Sequence, residues 1–311
     1  MKKDLLSIRD LTKAEINNLI KLTSEVKKKQ NQKVPYTPLK GKTMAMIFHK
    51  VSTRTRVSFQ VGLFQLGGLA LDLSTNNLQL SKGETLADTA KVLSRYVDAI
   101  LIRTYKHSFI EEIAAYASVP VINGLTDLLH PIQILSDLFT IKEKKGTLDD
   151  IKVAYIGDGN NIANSWLNAC ALMGFYLTIS SPKGFEPNIS ILEQATLDAE
   201  ESGGKISFTY DPKEAVVDAD ILYTDVWASL GQENERENRK RFFSGYQINK
   251  EFLALANKNA LVMHCLPVHR GEEIAADVLE SRQSIVYDQA ENRLHLQKAV
   301  MIKLILNDEK K

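Results

Sequence analysis

The sequence predicts an α/β protein made of two doubly wound parallel-sheet domains. Three observations lead there. Short apolar runs alternate with helical segments along most of the chain, which is the pattern of βαβ units. The alternation stops in the charged stretch 142–150 (KEKKGTLDD) and then starts again. A chain of 311 residues is also long enough for two domains, at roughly 100–200 residues each.

The elements follow in order. A first helix opens at Thr12, with Glu15 three residues on to complete a capping box. Ile16, Leu19, Ile20 and Val26 then recur at helical spacing. Residues 27–38 are polar and read as a loop. TMAMIF at 43–48 is short and wholly apolar after its first residue, so it reads as a buried strand. Strands at 69–73, 99–102 and 120–122 and helices at 56–66, 85–96, 109–116 and 131–140 complete the first run. Beyond the charged junction, strands are expected at 153–156, 176–179, 206–209, 221–224, 261–264 and 285–287. Helices are expected at 162–173, 189–201 and 212–217, with a long terminal helix at 289–306.

Composition narrows the function. Lys+Arg 39 against Asp+Glu 38 leaves a net charge of +1, so no global field recruits nucleic acid or an anionic membrane. No apolar run approaches the roughly 20 residues of a membrane helix. The opening MKKDLLSIRD carries Asp4 and too short an apolar stretch for a secretory signal. Two cysteines, Cys170 and Cys265, cannot build a disulfide framework, and a reducing compartment is the simpler reading. The expectation is a cytoplasmic enzyme.

Ser52-Thr53-Arg54-Thr55-Arg56 follows an expected strand and opens an expected helix. Free N–H groups, hydroxyls and guanidiniums together suit phosphate oxygens. Ser52 as a helix cap ahead of a solvated basic turn accounts for the same residues. Gly41-Lys42-Thr43 lacks the glycine-rich lead of a Walker loop, with Tyr36 where its first glycine would stand, so no Walker site is expected. Arg103 ends a strand, where ligand crevices of open α/β sheets lie. His130-Pro131-Ile132-Gln133 sits at a strand-to-helix junction, where the histidine can donate to a carbonyl and the glutamine can pair with an amide. The run Gly157-Asp158-Gly159-Asn160-Asn161 imitates a dinucleotide turn but has Ile162 at the third glycine position, and Ser180-Ser181 supplies no acid. Its asparagines can instead read an amino-acid carboxylate or amine. Asp225 ends a strand ahead of Trp227, Ser229, Leu230 and Gly231, and a lone acid beside a hydroxyl suits an ammonium as well as it suits a turn. His264-Cys265-Leu266-Pro267 also ends a strand, with no paired Cys/His spacing for a metal.

FHKVSTRTR at 48–56, HPIQ at 130–133, GDGNN at 157–161, DVWASLG at 225–231 and HCLP at 264–267 occur in the order and across the span in which they resemble the ornithine carbamoyltransferase family. The resemblance implies two domains with a cleft between them, joined by interdomain helices. It implies a carbamoyl-phosphate-binding domain at 1–140, completed by the C-terminal helix at about 289–311, and an ornithine-binding domain at 141–288. It implies transfer of the carbamoyl group to the side-chain amine of L-ornithine, giving L-citrulline and phosphate in arginine metabolism. Ser52, Thr53, Arg54 and Thr55 would hold the phosphate, joined by Gln79 from a neighbouring subunit, Arg103, His130, Gln133 and Arg293. Asn161, Asp225, Ser229 and Leu230 would hold ornithine, with Cys265 and the backbone of Leu266 between the substrates. Arg103, His130 and Cys265 would be catalytic. Neither metal nor cofactor is implied. The expected assembly is a homotrimer, or a set of trimers, with active sites at subunit interfaces.

Two departures bear on specificity. Leu230 stands where the family usually has methionine, a swap that nearly conserves volume. The run Lys82-Gly83-Glu84…Asp88-Thr89 is similar to the related aspartate carbamoyltransferases, whose lysine in this loop reaches a neighbouring site. The alternative acceptors are therefore putrescine, an N-acylated ornithine and aspartate. Asp225 disfavours aspartate, and Asn161 and Ser229 disfavour putrescine, which lacks an amino-acid head.

Overall fold

The computed structural model describes residues 3–74, 83–228 and 233–308. The chain forms two compact units, one of Met1–Phe139 with Asn292–Lys311 and one of Thr140–Glu291.

In the first unit, Thr12 and Glu15 cap α1 (Lys13–Asn31) reciprocally. The helix runs four residues past Lys27, into the stretch expected as loop, because its Lys and Gln residues are good helix formers. Next come β1 (Thr43–Phe48), α2 (Thr53–Gln65), β2 (Leu69–Ser74), α3 (Leu86–Leu93), β3 (Ala99–Arg103), α4 (His107–Tyr116), β4 (Val121–Leu125) and α5 (Pro131–Lys145). The four strands are parallel in the order β2-β1-β3-β4. Ala45, Ile47, Ile100, Ile102, Ile110, Ile113 and Val121 build a dry core between sheet and helices. Strand order reverses between β1 and β3, so the loops leaving those two strands flank a switch point, where open α/β sheets bind ligands.

The charged run 142–150, expected as the junction, lies just past the boundary between the units at Phe139/Thr140. Its first part is the last turn of α5, where Lys142, Lys144 and Lys145 face the negative end of the helix dipole. Gly146 ends it at φ +82°, a conformation that favours glycine.

The second unit contains β5 (Lys152–Ile156), α6 (Asn161–Met173), β6 (Tyr176–Ser180), α7 (Ile189–Ser202), β7 (Lys205–Thr209), α8 (Pro212–Val216), β8 (Ile221–Thr224), α9 (Arg236–Phe242), α10 (Lys250–Leu255), β9 (Leu261–His264) and α11 (Ala276–Leu279). Its sheet is parallel in the order β7-β6-β5-β8-β9, with the reversal between β5 and β8. The final helix, α12 (Val286–Asp308), starts in this unit and ends in the first. The strand expected at 285–287 is not formed. Ser284 makes an isolated bridge to Val262 and Ile285 donates one backbone hydrogen bond to it, after which α12 takes over. One bridge buries Ile285 and Val286 without a strand. No helix among the described residues is long and apolar enough to cross a membrane.

Candidate functional site

Each unit gathers chemically distinctive side chains at or beside its switch point. In the first unit, β1 delivers the chain to Ser52, whose hydroxyl caps α2 by accepting from the Thr55 N–H at 3.2 Å. That leaves Thr53 and Arg54 exposed on the first turn, at the positive end of the helix dipole. Thr55 is buried, and its hydroxyl accepts from an Arg293 guanidinium nitrogen at 3.0 Å, so α12 returns to this loop. Arg103 at the end of β3 and His130 ahead of α5 are both buried. Burial, and then the Arg293 and Arg103 charges, hold the His130 imidazole well below its ordinary pKa, so it is neutral at physiological pH. A neutral imidazole between two guanidiniums can donate to a developing oxyanion without itself ionising. Gln133, one turn into α5, is wholly buried; its amide nitrogen donates to Asp137 at 2.9 Å and its carbonyl oxygen has no partner.

Two neighbours that the sequence reading passed over hold this loop in place. His49 Nδ1 lies 2.8 Å from the Thr104 hydroxyl, and its ring meets Phe109 edge-on at 4.6 Å. Lys50 is buried, pairs with Asp127 and sits 4.6 Å above the Tyr105 ring. The contacts tie the segment before Ser52 to the loops after β3 and β4, a linkage with no local signal in the chain.

In the second unit, Gly159 allows the close passage of the turn after β5. A Cβ there would lie 2.2 Å from the backbone of Glu186 and Pro187. Asn160 caps α6, its side-chain oxygen accepting from the Ile162 N–H at 2.9 Å and the Ala163 N–H at 3.4 Å. Its side-chain nitrogen donates to Asp225 Oδ2 at 2.9 Å. The other Asp225 oxygen accepts from the Cys265 thiol at 3.0 Å. Asp225 and Cys265, far apart in sequence, are thus in direct contact. Asn161 is half-buried on the first turn of α6.

The segment His264–Pro267 is held by a second set of bonds. His264 Nδ1 accepts from the Leu266 N–H at 2.8 Å, which leaves Nε2–H to donate to Glu273 Oε1 at 3.0 Å. The same Glu273 oxygen accepts from the His269 N–H at 2.7 Å. Leu266 adopts φ +58°, a left-handed conformation unusual for a branched residue and retained only where surrounding contacts enforce it. Asp225, His264 and Cys265 bring potential ligand atoms within 4.8 Å of one another, yet both His264 nitrogens and the thiol already have protein partners.

Arg239 joins two loops of this half. It reaches Asp158 at 3.2 Å, donates to the Trp227 carbonyl at 2.9 Å, pairs with Glu235 at 3.0 Å and stacks over Phe185. Burial nevertheless pushes the Asp158 carboxyl up to about 6, outweighing the pull of Arg239. Neither Arg239 nor Glu273 belongs to a motif, and only the fold brings them to the site.

The first half assembles Ser52, Thr53, Arg54, Thr55, Arg103, His130, Gln133 and Arg293 on adjoining strand and helix ends. The second assembles Asn161, Asp225, Cys265 and Leu266. Gln79, Lys82, Ser229 and Leu230 lie outside the described residues.

Comparison with known proteins assigns the two halves. Residues 3–143 match the aspartate/ornithine carbamoyltransferase carbamoyl-P binding domain, and residues 149–304 match the Asp/Orn binding domain of the same family. A curated ornithine carbamoyltransferase of Syntrophus aciditrophicus is 57% identical over 305 residues, 98% of this chain and 100% of that protein. A Pyrococcus furiosus protein named as an anabolic ornithine carbamoyltransferase is 52% identical over 299 residues, 96% of this chain and 95% of its own. The solved structure of ornithine carbamoyltransferase from Pyrococcus furiosus matches with a TM-score of 0.92, 52% identity and coverage of 96% of this chain and 95% of that one. Ornithine transcarbamoylase from Giardia lamblia matches at TM-score 0.88 with 32% identity, covering 98% of both chains.

Proposed function

The chain belongs to the aspartate/ornithine carbamoyltransferase family, and from that premise we propose how its residues divide the reaction. The protein transfers the carbamoyl group of carbamoyl phosphate to the side-chain amine of L-ornithine, giving L-citrulline and phosphate. The observation that carries the ornithine reading within the family is the contact of Asp225 with Cys265, at 3.0 Å. A buried carboxylate suits a cationic amino acid and repels aspartate.

In this reading, Ser52, Thr53, Arg54 and Thr55 hold the phosphate with the α2 N-terminus, and Arg293 and Gln79 add to them. Arg103, His130 and Thr55 polarise the carbamoyl carbonyl, and the unpartnered Gln133 oxygen accepts from the carbamoyl NH2. Asp225 grips the α-ammonium, Asn161, Ser229 and Leu230 seat the rest of the amino acid, and the δ-amine lies by Cys265 and the Leu266 backbone. The δ-amine loses its proton and attacks the carbamoyl carbon. The C–N bond forms, the carbonyl electrons move onto the oxygen facing Arg103 and His130, and the intermediate collapses with cleavage of the C–O bond to phosphate. The nitrogen then loses a second proton to give citrulline. Donors already aimed at the oxyanion and the leaving phosphate supply the catalytic effect, together with the approximation of two substrates. The chemistry calls on no metal or cofactor.

The domain at 1–140 with 289–311 serves carbamoyl phosphate and the domain at 141–288 serves ornithine. The assembly is a homotrimer or a set of trimers. An apolar stripe supports it: Val57, Val61 and Phe64 on α2, with Leu69 and Leu71 on the edge strand β2, are exposed, Phe64 at 78%. Exposed apolar stripes of this kind mark interaction surfaces. The reaction runs toward citrulline in arginine biosynthesis, in the cytoplasm. The anabolic designation of a Pyrococcus furiosus relative supports the direction, and the two free cysteines support the compartment.

Citrulline formation tests the acceptor. Carbamoyl phosphate is supplied with ornithine, putrescine, aspartate and N-acetylornithine in parallel. Ornithine is expected to turn over and the other three to be poor, and equal use of putrescine would overturn the α-amino-acid pocket. Mixing tests the assembly. Arg54→Ala and Gln79→Ala proteins, each inactive alone, should regain activity in hybrid oligomers, and hybrids without recovery would mean self-contained sites.

A further inference from the structure

Asn160 does two things at once, and only one of them is helix capping. Its side-chain oxygen faces two backbone N–H groups, of Ile162 and Ala163, so that atom must be the acceptor. The amide nitrogen is thereby turned toward Asp225 and donates to Oδ2 at 2.9 Å. The cap alone does not require this residue type, because Asp, Ser and Thr cap as well as Asn. Of these, only asparagine has the acceptor for the cap and a neutral donor on separate atoms, so that each can face its own partner. Aspartate would set a second carboxylate against Asp225, and serine has too few atoms to reach both. A lysine or arginine could hold Asp225 but would cancel the charge that a substrate ammonium needs.

The surroundings reinforce the arrangement. The Tyr155 hydroxyl, buried under the turn, donates to the Asp158 carbonyl at 2.7 Å and lies 3.3 Å from the Asn160 side-chain oxygen. Cys265 occupies the other Asp225 oxygen, so the carboxylate is gripped from both sides by neutral donors. We propose that Asn160 is a positioning residue for the acceptor substrate: its amide locks the Asp225 carboxylate in orientation while leaving its charge intact. The proposal rests on the reading of Asp225 as the group that binds the ornithine ammonium. It gives the second unit a specificity device at the first cap of α6, adjacent to Asn161 and distinct from it in role.

The test uses the full-length enzyme with steady-state kinetics in each substrate and thermal unfolding as a check on folding. Asn160→Asp keeps the cap and adds a like charge beside Asp225, and it should raise the ornithine KM on the order of tenfold or more. Asn160→Ser keeps the cap and shortens the side chain out of reach of Asp225, and it should raise the ornithine KM several-fold, about the value of one charge-assisted hydrogen bond. Both should leave the carbamoyl-phosphate KM within about twofold, since a uniform loss would mark a general structural defect. In an Asp225→Asn background the charge conflict is gone, and Asn160→Asp should cost no more than about twofold, a failure of additivity that reports direct contact. Should Asn160→Asp not fold, Asn160→Ser alone decides. Unchanged ornithine KM in Asn160→Ser, or an Asn160→Asp penalty equally large in both backgrounds, overturns the proposal while the role of Asp225 stands. An unchanged ornithine KM in Asp225→Asn alone overturns the reading of Asp225, and the proposal with it.

Discussion

The two switch points of this molecule are built on the same plan and carry opposite charge. In the first unit, strand ends deliver Arg103 and the Arg54 turn, α12 adds Arg293, and the histidine among them is held neutral. In the second, strand ends deliver Asp225 and Cys265, and asparagine and thiol protons hold the carboxylate. Backbone topology placed both sites, because strand order reverses at one point in each sheet. The side chains then set the sign, cationic in the first unit and anionic in the second, which is the division the proposed reading assigns to a phosphorylated substrate and an amino acid with a second amine. The fold thus locates a site and does not say what binds there.

The largest expected effect breaks the comparison on one side only. Arg54→Ala should lower kcat/KM for carbamoyl phosphate by about 2–4 kcal/mol in transition-state stabilisation, as removal of an oxyanion donor does elsewhere. Ornithine binding, measured separately, should change little; equal loss on both substrates would mean that the two halves do not divide the work by charge.

Buried titratable groups in the two units should respond to pH in opposite senses. His130 has a folded pKa below its unfolded value, so its contribution is present above about 6.5 and is lost as pH falls. Asp158 has a folded pKa of about 6, above the unfolded value near 3.8. Its contribution is full below about 3.8 and is lost as pH rises through 6. Asp158→Asn should therefore stabilise the second unit at pH 7 relative to pH 4.5, by about 2–3 kcal/mol at most. Trp166 and Trp227, the two tryptophans of the chain, both lie in that unit, so their fluorescence during urea unfolding reads it selectively. A pH profile identical to that of the unsubstituted protein would show that Asp158 is not strained by burial.

The smallest effect concerns the acceptor pocket. Leu230→Met conserves volume, and ornithine kcat/KM should move by less than about 1.5 kcal/mol. A larger change would make this position a determinant of side-chain fit rather than a filler, and would sharpen how the anionic half reads its substrate.

The nine strands among the described residues were legible in the sequence, because most are short apolar runs buried inside a parallel sheet, and the more exposed β2 and β7 still carry apolar residues. The tenth, expected at 285–287, was apolar for a different reason: Ile285 and Val286 are buried at the start of a helix. The helices α9, α10 and α11, at seven, six and four residues, are not among the expected elements, and length alone does not account for it, since the five-residue α8 is expected at 212–217. The motif residues were legible as well, for each is a dense local cluster of chemically unusual types. The contact of Asn160 with Asp225 had no such signal, since nothing in the sequence sets Asn160 apart from Asn161 beside it.

Local pattern was enough to place the strand ends and the cap at Ser52 and to single out His130, Asp225 and Cys265, because periodicity and capping are properties of neighbours in the chain. The partners of those groups were beyond it. Arg293 reaches Thr55 across 238 positions, Asn160 reaches Asp225 across 65, and Arg239 spans two loops that share no motif. Such contacts depend on the order of strands in a sheet and on which residues burial deprives of water. Both are outcomes of packing, where a carboxylate far away in sequence becomes the nearest group that can satisfy a donor.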